Sequence, residues 1–162
     1  NELAYDAHMA EVMNKTGLGD VAGMSLGGVV IRLKPGTPFM LDRIPSNSRD
    51  IYCVYLGPIS TREVLSDAKE KVRINDAGQK CLKSLLKVPT FEQFMRLSKE
   101  FTVSTGLASD RALRAIESVE SHGGMASMAM LGDSVFSTIP DGLSEFGKVM
   151  KSKVCLYGAH PL

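Results

Sequence analysis

Two carboxylates and an arginine near the start of the chain have the types and spacing that chemistry requires. Glu11 stands near the end of the opening helical stretch, and Asp20 follows a glycine-rich turn. Two carboxylates beside flexible backbone suit a metal ligand and a general base. The plainer alternative stays open at this point: Glu11 facing solvent and Asp20 capping a following turn. Arg32 lies among Val30, Ile31 and Leu33 on a strand-like run. Its guanidinium must snorkel, pair with a partner or bind an anion. Strand alternation groups Val30, Arg32 and Lys34 on one face, which also fits a solvent-facing arginine. Arg43 and Arg62 are further cations that could meet a carboxylate. Gly17-Leu18-Gly19 follows a helix rather than a strand, so it is not a dinucleotide fingerprint. His8, His122 and His160 are scattered and read as helix-face, loop and terminal residues rather than ligands.

The segment from His122 to Phe136 is the least ordinary. Gly123, Gly124 and Gly132 flank a methionine-rich strand and a Gly-Asp-Ser turn. Methionines fill irregular cores, so these read as packing. The three glycines are harder to assign to packing alone and suit close backbone approach.

The elements that must hold these groups are legible from periodicity. Residues 2–15 read as a helix, with Leu3, Ala7, Ala10 and Met13 at helical spacing, stopped at Thr16-Gly17. A small, glycine-rich stretch leads into a strand at Val29–Leu33, closed by Lys34-Pro35-Gly36. An extended piece follows at Met40–Ile44, then a strand at Ile51–Leu56. Together these predict a small antiparallel meander behind a helix. The middle reads as helical: a start near Thr61–Ala68, then Asp76–Lys87, a helix capped by Thr90, and Asp110–Ser121. The last third predicts strands at Ala126–Leu131 and Ser134–Ser137, a short helix at Gly142–Lys151 and a final strand at Lys153–Tyr157. Such an order points to an α+β layer fold.

Composition bounds the rest. The 162 residues are 44% hydrophobic and 23% charged, with a formal net charge of +1. That balance excludes general disorder and gives no support to a nucleic-acid or membrane-surface protein, because phosphate binding needs clustered positive charge. No apolar run is long enough to span a bilayer, and no signal peptide is visible. Cys53, Cys81 and Cys155 are too few for a disulfide framework and read as small buried hydrophobes in a reducing cytoplasm.

The run AHMAEVMNKTGLGDVAGMSLGGVVIRLKPG, followed by DRIP, resembles pantoate kinases of the GHMP small-molecule kinase superfamily. MAMLGDSVFS resembles that superfamily's third, glycine-rich motif. The resemblance covers most of the chain and is densest at Asp6–Pro45 and Gly123–Ser137. It implies transfer of the γ-phosphoryl group of ATP to an alcohol, here the hydroxyl of pantoate, a step of coenzyme A biosynthesis. The implied fold joins an N-terminal α/β domain to a ferredoxin-like C-terminal domain. Residues 1–56 would then be the end of the first domain and 57–162 the second.

The resemblance also implies roles. Glu11 would hold Mg²⁺ and Asp20 would act as base towards the substrate hydroxyl. Arg32, with Arg62 as second choice, would bind the substrate carboxylate. Ser127, assigned to substrate, and Gly132, assigned to nucleotide, match the third motif. The superfamily's phosphate loop, PxxxGLGSSA, does not occur, so the chain resembles the C-terminal part of a kinase and is expected to be inactive alone. The third motif keeps one glycine and replaces others with Met and Leu. A homoserine- or mevalonate-type kinase and a non-catalytic GHMP-like binding module remain the alternatives. The expected cofactors are ATP and Mg²⁺, and the expected partner is a small hydroxy acid. No nucleic acid or membrane is expected, and a homodimer is left open.

Overall fold

The computed structural model describes residues 2–14, 19–58, 67–129 and 132–159. The chain forms two compact units, Asn1–Arg49 with Val154–Leu162, and Asp50–Lys153. The sequence placed its boundary at 56/57. The first unit instead ends at Arg49, and the last nine residues return to it.

The first unit contains α1 (Glu2–Asn14), α2 (Asp20–Leu26), β1 (Val29–Arg32) and β2 (Leu41–Ile44). The two strands form an antiparallel ribbon in which Arg32 lies opposite Leu41 and Val30 opposite Arg43. Ile31 and Ile44 are buried and Arg43 is exposed, as the alternation of the strands requires. α2 falls in the small, glycine-rich stretch, for which no element is expected. Its propensity is poor, with Gly23 at mid-helix, but Val21 and Ala22 are buried and α1 packs against it.

α1 has the expected span but the opposite orientation. Leu3, Ala7, Ala10 and Met13, the face read as apolar, are all exposed. The residues turned inward are Ala4, His8 and Glu11, spaced i, i+4, i+7 on one stripe.

The second unit begins with β3 (Asp50–Gly57) and continues through α3 (Ala68–Lys87), α4 (Phe91–Thr105), α5 (Asp110–Ser121), β4 (Ala126–Met128), β5 (Asp133–Ser137) and β6 (Met150–Lys153). Its four strands form one antiparallel sheet in the order β4-β5-β3-β6. Thus β3 does not continue the ribbon of β1 and β2 as the expected meander required. The order strand, helices, then three strands follows a ferredoxin-like layer in which turns take the place of the second helical crossover. Those turns occupy the stretch expected to be a helix at 142–151. Gly142 has φ +84° there, and a Cβ on it would lie 2.7 Å from the Ser118 carbonyl carbon. The last strand lies at Met150–Lys153 rather than Lys153–Tyr157, because the chain leaves the sheet at Val154.

The core of this unit packs Ala112, Ala115, Ile116 and Val119 of α5 against Val54, Ala126, Val135 and Leu143. Caps fix the helices. Thr90 Oγ1 accepts from the Gln93 amide at 3.2 Å, as expected, and Ser109 Oγ accepts from Ala112 at 3.1 Å. Asp67 caps α3, which starts ahead of the expected Asp76; the proposed start near Thr61 lies outside the described residues. Cys53 and Cys81 are half-buried, and burial pushes both thiols up from their ordinary pKa. Cys155 is exposed, so the reading of all three cysteines as buried hydrophobes fails there.

Candidate functional site

The candidate site in the first unit is built on the inward stripe of α1 and the end of β1. Arg32 is held from several directions. Its Nε donates to the Lys34 carbonyl at 3.2 Å and its Nη2 to the Gly36 carbonyl at 3.1 Å. The turn expected after β1 therefore folds back onto the guanidinium of the strand's last residue. Nη2 also meets His8 Nε2 at 3.3 Å, and the guanidinium carbon lies 5.2 Å from the centroid of Phe39. Arginine carries only donors, so Nε2 accepts and the His8 ring proton sits on Nδ1. Phe39 meets the His8 ring edge-on, with centroids 5.2 Å apart.

His8 and Glu11 are neighbours on one face of α1. His8 is 4% exposed, and its Nδ1 has no hydrogen-bond partner among the described residues. Glu11 Oε2 is also buried without a partner among them. Buried polar atoms are normally satisfied, so two orphans on one stripe need an explanation beyond packing. Glu11 therefore does not stand as the solvent-facing carboxylate of the plainer alternative. His8 is the residue that reading by residue type missed. Its spacing from Glu11 was the available signal.

Asp20 is the first residue of α2, with Gly19 rather than Asp20 at the cap position. Its carboxylate is exposed, at the helix end where a negative charge is favoured. Arg43, the other early cation, is engaged: its Nη2 donates to the Leu26 carbonyl at the far end of α2. Beside Phe39 lies a cavity of about 550 Å³, walled by Ala4 and Tyr5 of α1, Ser25 and Leu26 of α2, and Thr37 and Phe39, among others. It is mainly apolar, with the hydroxyl-bearing residues Tyr5, Ser25 and Thr37 on its wall.

Two described candidates, Ser127 and Gly132, belong to the second unit. Arg62 is outside the described residues. Ser127 is in the interior of the second unit, 0% exposed, with its hydroxyl 3.0 Å from that of Thr102. The buried hydroxyl pair satisfies itself, so Ser127 is a core residue rather than part of a binding surface. Gly132 lies in the turn before β5, donating to the Ala129 carbonyl at 3.1 Å and accepting from Ser134 at 2.7 Å. A Cβ there would meet nothing closer than 3.8 Å, so packing does not demand glycine. The other two glycines of that segment are accounted for. Gly123 has φ +81°, and a Cβ on Gly124 would collide with Ile139 and Val119 at 2.5–2.8 Å. Asp133, next to Gly132, accepts from Ser109 Oγ at 2.8 Å.

Among the described residues no group of three or more His, Cys, Asp or Glu side chains converges on one point. A Mg²⁺ ion needs no such cage, since one or two carboxylates plus phosphate oxygens and waters complete its shell. The unpartnered Oε2 of Glu11 fits that requirement. Among the same residues no helix is long and apolar enough to cross a membrane.

No family model matches the chain. It is 39% identical over 145 residues to a pantoate kinase of Methanocaldococcus jannaschii, covering 85% of this chain and 53% of that protein. It is 37% identical over 155 residues to a pantoate kinase of Thermococcus kodakarensis, covering 93% and 51%. The chain thus spans about half the length of the curated relatives it matches. Among solved structures, a phosphotransferase related to the CoA biosynthesis pathway superposes with a TM-score of 0.78 at 28% identity, over 96% of this chain and 54% of that one. A homoserine kinase from Cytophaga hutchinsonii superposes at 0.59 with 14% identity, over 94% and 57%, which bears on the fold alone.

Proposed function

We propose that this chain, which is similar in sequence to pantoate kinases and has the α+β fold of the GHMP small-molecule kinases, is part of an enzyme that phosphorylates the hydroxyl of pantoate with ATP. The similarity of 37–39% over at least 85% of the chain carries the reading. The first unit supports it with a guanidinium fixed in place beside an apolar cavity. Pantoate is a hydroxy acid with a branched, doubly methylated carbon. Its carboxylate suits Arg32 and its methyl groups suit the cavity wall, since a planar guanidinium pairs with a carboxylate better than an ammonium does.

In this reading Asp20 accepts the proton of the attacking hydroxyl. Its position at a helix end leaves the carboxylate exposed, where it can meet a hydroxyl within hydrogen-bond reach. Glu11 would hold Mg²⁺, which would neutralise charge on the ATP phosphates. His8 completes the arrangement by holding Arg32 from α1. Gly132 is assigned to the neighbourhood of the nucleotide and Arg62 to a second contact with the acid, both on resemblance. The reaction is placed in a reducing cytoplasm, which suits three unpaired thiols.

The test is steady-state kinetics of the full-length protein with ATP and Mg²⁺, following ADP release and the phosphorylated product by mass spectrometry. Pantoate, homoserine and mevalonate are compared at equal concentration. The reading requires pantoate to have the highest kcat/KM. A preference for another alcohol overturns the substrate, and no ADP release with any of them overturns the activity.

A further inference from the structure

The C-terminal segment of the first unit is seated on the end of α2 by its backbone. The Ala159 amide donates to the Met24 carbonyl at 2.7 Å, and the Gly28 amide donates to the Cys155 carbonyl at 2.7 Å. Met24 supplies one of the carbonyls that a helix end leaves without an intrahelical partner. Two neighbouring carbonyls of this end are also satisfied, Gly23 by the Gly27 amide and Leu26 by Arg43. The approach is close enough to exclude side chains. A Cβ on Gly27 would lie 2.3 Å from the Tyr157 carbonyl carbon, and one on Gly158 would lie 2.3 Å from the Ser25 carbonyl oxygen. The side chains of the segment contribute little, since Tyr157 is 77% exposed and Cys155 and Leu156 are also exposed.

α2 has seven residues, about 10 Å of helix. Asp20 is at one end and the seated segment at the other. A helix this short is not stable by itself. Its buried residues, Val21 and Ala22, lie in the first turn, so the contacts at its far end decide where the axis points. We infer that Cys155–Ala159 is a positioning strap for α2, and through α2 for Asp20. The inference rests on the reading of Asp20 as the base. Arg32 is fixed separately, by the turn at 34–36 and by His8, so the strap acts on turnover more than on capture of the carboxylate.

The experiment uses the full-length protein and the variants Gly158→Ala, Ala159→Pro and Tyr157→Ala. Gly158→Ala puts a methyl group against the Ser25 carbonyl and lifts the strap. Ala159→Pro removes the amide that bonds Met24 and puts a ring carbon in its place. In both, kcat falls tenfold or more, on the order expected for a displacement of about 1 Å at a reacting group, and by more than the pantoate KM rises, since Ser25 and Leu26 at the same end of α2 also wall the cavity. Amide exchange across Val21–Met24 rises with it. Tyr157→Ala keeps wild-type kcat and exchange, because its side chain is not part of the seat. Wild-type kcat in Ala159→Pro with α2 exchange accelerated overturns the inference, as does unchanged exchange in α2. Asp20→Asn is run beside them. If it keeps wild-type kcat, the base reading is what has failed, and the exchange arm still decides whether the strap holds the helix. A Gly158→Ala protein that does not fold leaves the decision to Ala159→Pro.

Discussion

Removing Arg32 separates substrate recognition from structure, because its contacts with the turn, His8 and Phe39 have ordinary energies. The guanidinium donates to the carbonyls of Lys34 and Gly36, meets His8 Nε2 and lies over Phe39. Each such hydrogen bond is worth about 1 kcal/mol net, so Arg32→Ala should lower stability by about 1–3 kcal/mol. A carboxylate held by two charge-assisted bonds adds about 3 kcal/mol to binding, which is roughly 100-fold in affinity. Arg32→Ala should therefore raise the pantoate KM about 100-fold, with kcat and the ATP KM within a few-fold. Arg32→Lys keeps the charge and loses the planar fork, so its KM should rise about tenfold. The decisive comparison pairs the variant with a neutral analogue of the acid, its primary amide. Wild type should prefer the acid strongly, and Arg32→Ala should prefer neither. Thermal unfolding of each variant gives the structural cost separately. A pantoate KM within twofold of wild type in a folded Arg32→Ala protein refutes the assignment, as does equal loss of affinity for acid and amide.

Four further outcomes are expected. Asp20→Asn should reduce kcat by roughly 10²–10⁴-fold with little effect on KM, measured by ADP release, if Asp20 is the base. Glu11→Gln should raise the Mg²⁺ concentration for half-maximal rate by about an order of magnitude and leave the pantoate KM unchanged, which a metal titration at saturating substrate will show. Thr102→Val strands the buried Ser127 hydroxyl and should cost about 1–3 kcal/mol, whereas Ser127→Ala leaves the Thr102 hydroxyl on the Ser98 carbonyl and should cost about 1 kcal/mol, with the double variant costing less than their sum; Tm values give the cycle, and KM should not move. The hydrogen bond from Lys151 holds Asp50 below its ordinary pKa of 3.8, and Asp50 holds Lys151 above 10.5. The pair is thus intact between those values. Its contribution is lost as pH falls from 3.8 through the lowered Asp50 value, or rises from 10.5 through the raised Lys151 value. It is solvent-screened, so Asp50→Asn should change the acid limb of a stability–pH curve only slightly.

Much of this was readable from residue types. The cap Thr90 and the strands β1, β2 and β3 carry strong local signals, and the structure has them within a few residues. What escaped depends on partners distant in sequence. α2 has weak intrinsic propensity and is held by Ala159, more than a hundred residues on, which no local window contains. The stretch at 142–151 carries leucine and phenylalanine at helical intervals, yet Gly142 takes a left-handed conformation forced by its closeness to Ser118. β3 reads as a third strand of a meander because it follows β2 closely. Its partners are β5 and β6, which come after three intervening helices.

The largest misreading was of α1, and its cause separates function from packing. Polarity alone turns Leu3 and Met13 inward and leaves His8 and Glu11 outside. The structure does the reverse, exposing 83% of Leu3 and 79% of Met13 while burying His8 with Nδ1 unmatched among the described residues. Stability would not select this arrangement, since each buried and unpaired polar atom costs about 1–3 kcal/mol. Where local rules fail without a packing gain, a functional reason is to be sought. Ser127 and Gly124 give the contrast. They drew notice in the sequence for the same kind of oddity, yet Thr102 satisfies the one and Val119 with Ile139 crowds the other. Packing accounts for both, and neither needs a ligand. His8 and Glu11 are left with buried atoms that no described residue satisfies, and His8 meets both Arg32 and Phe39, the latter on the cavity wall.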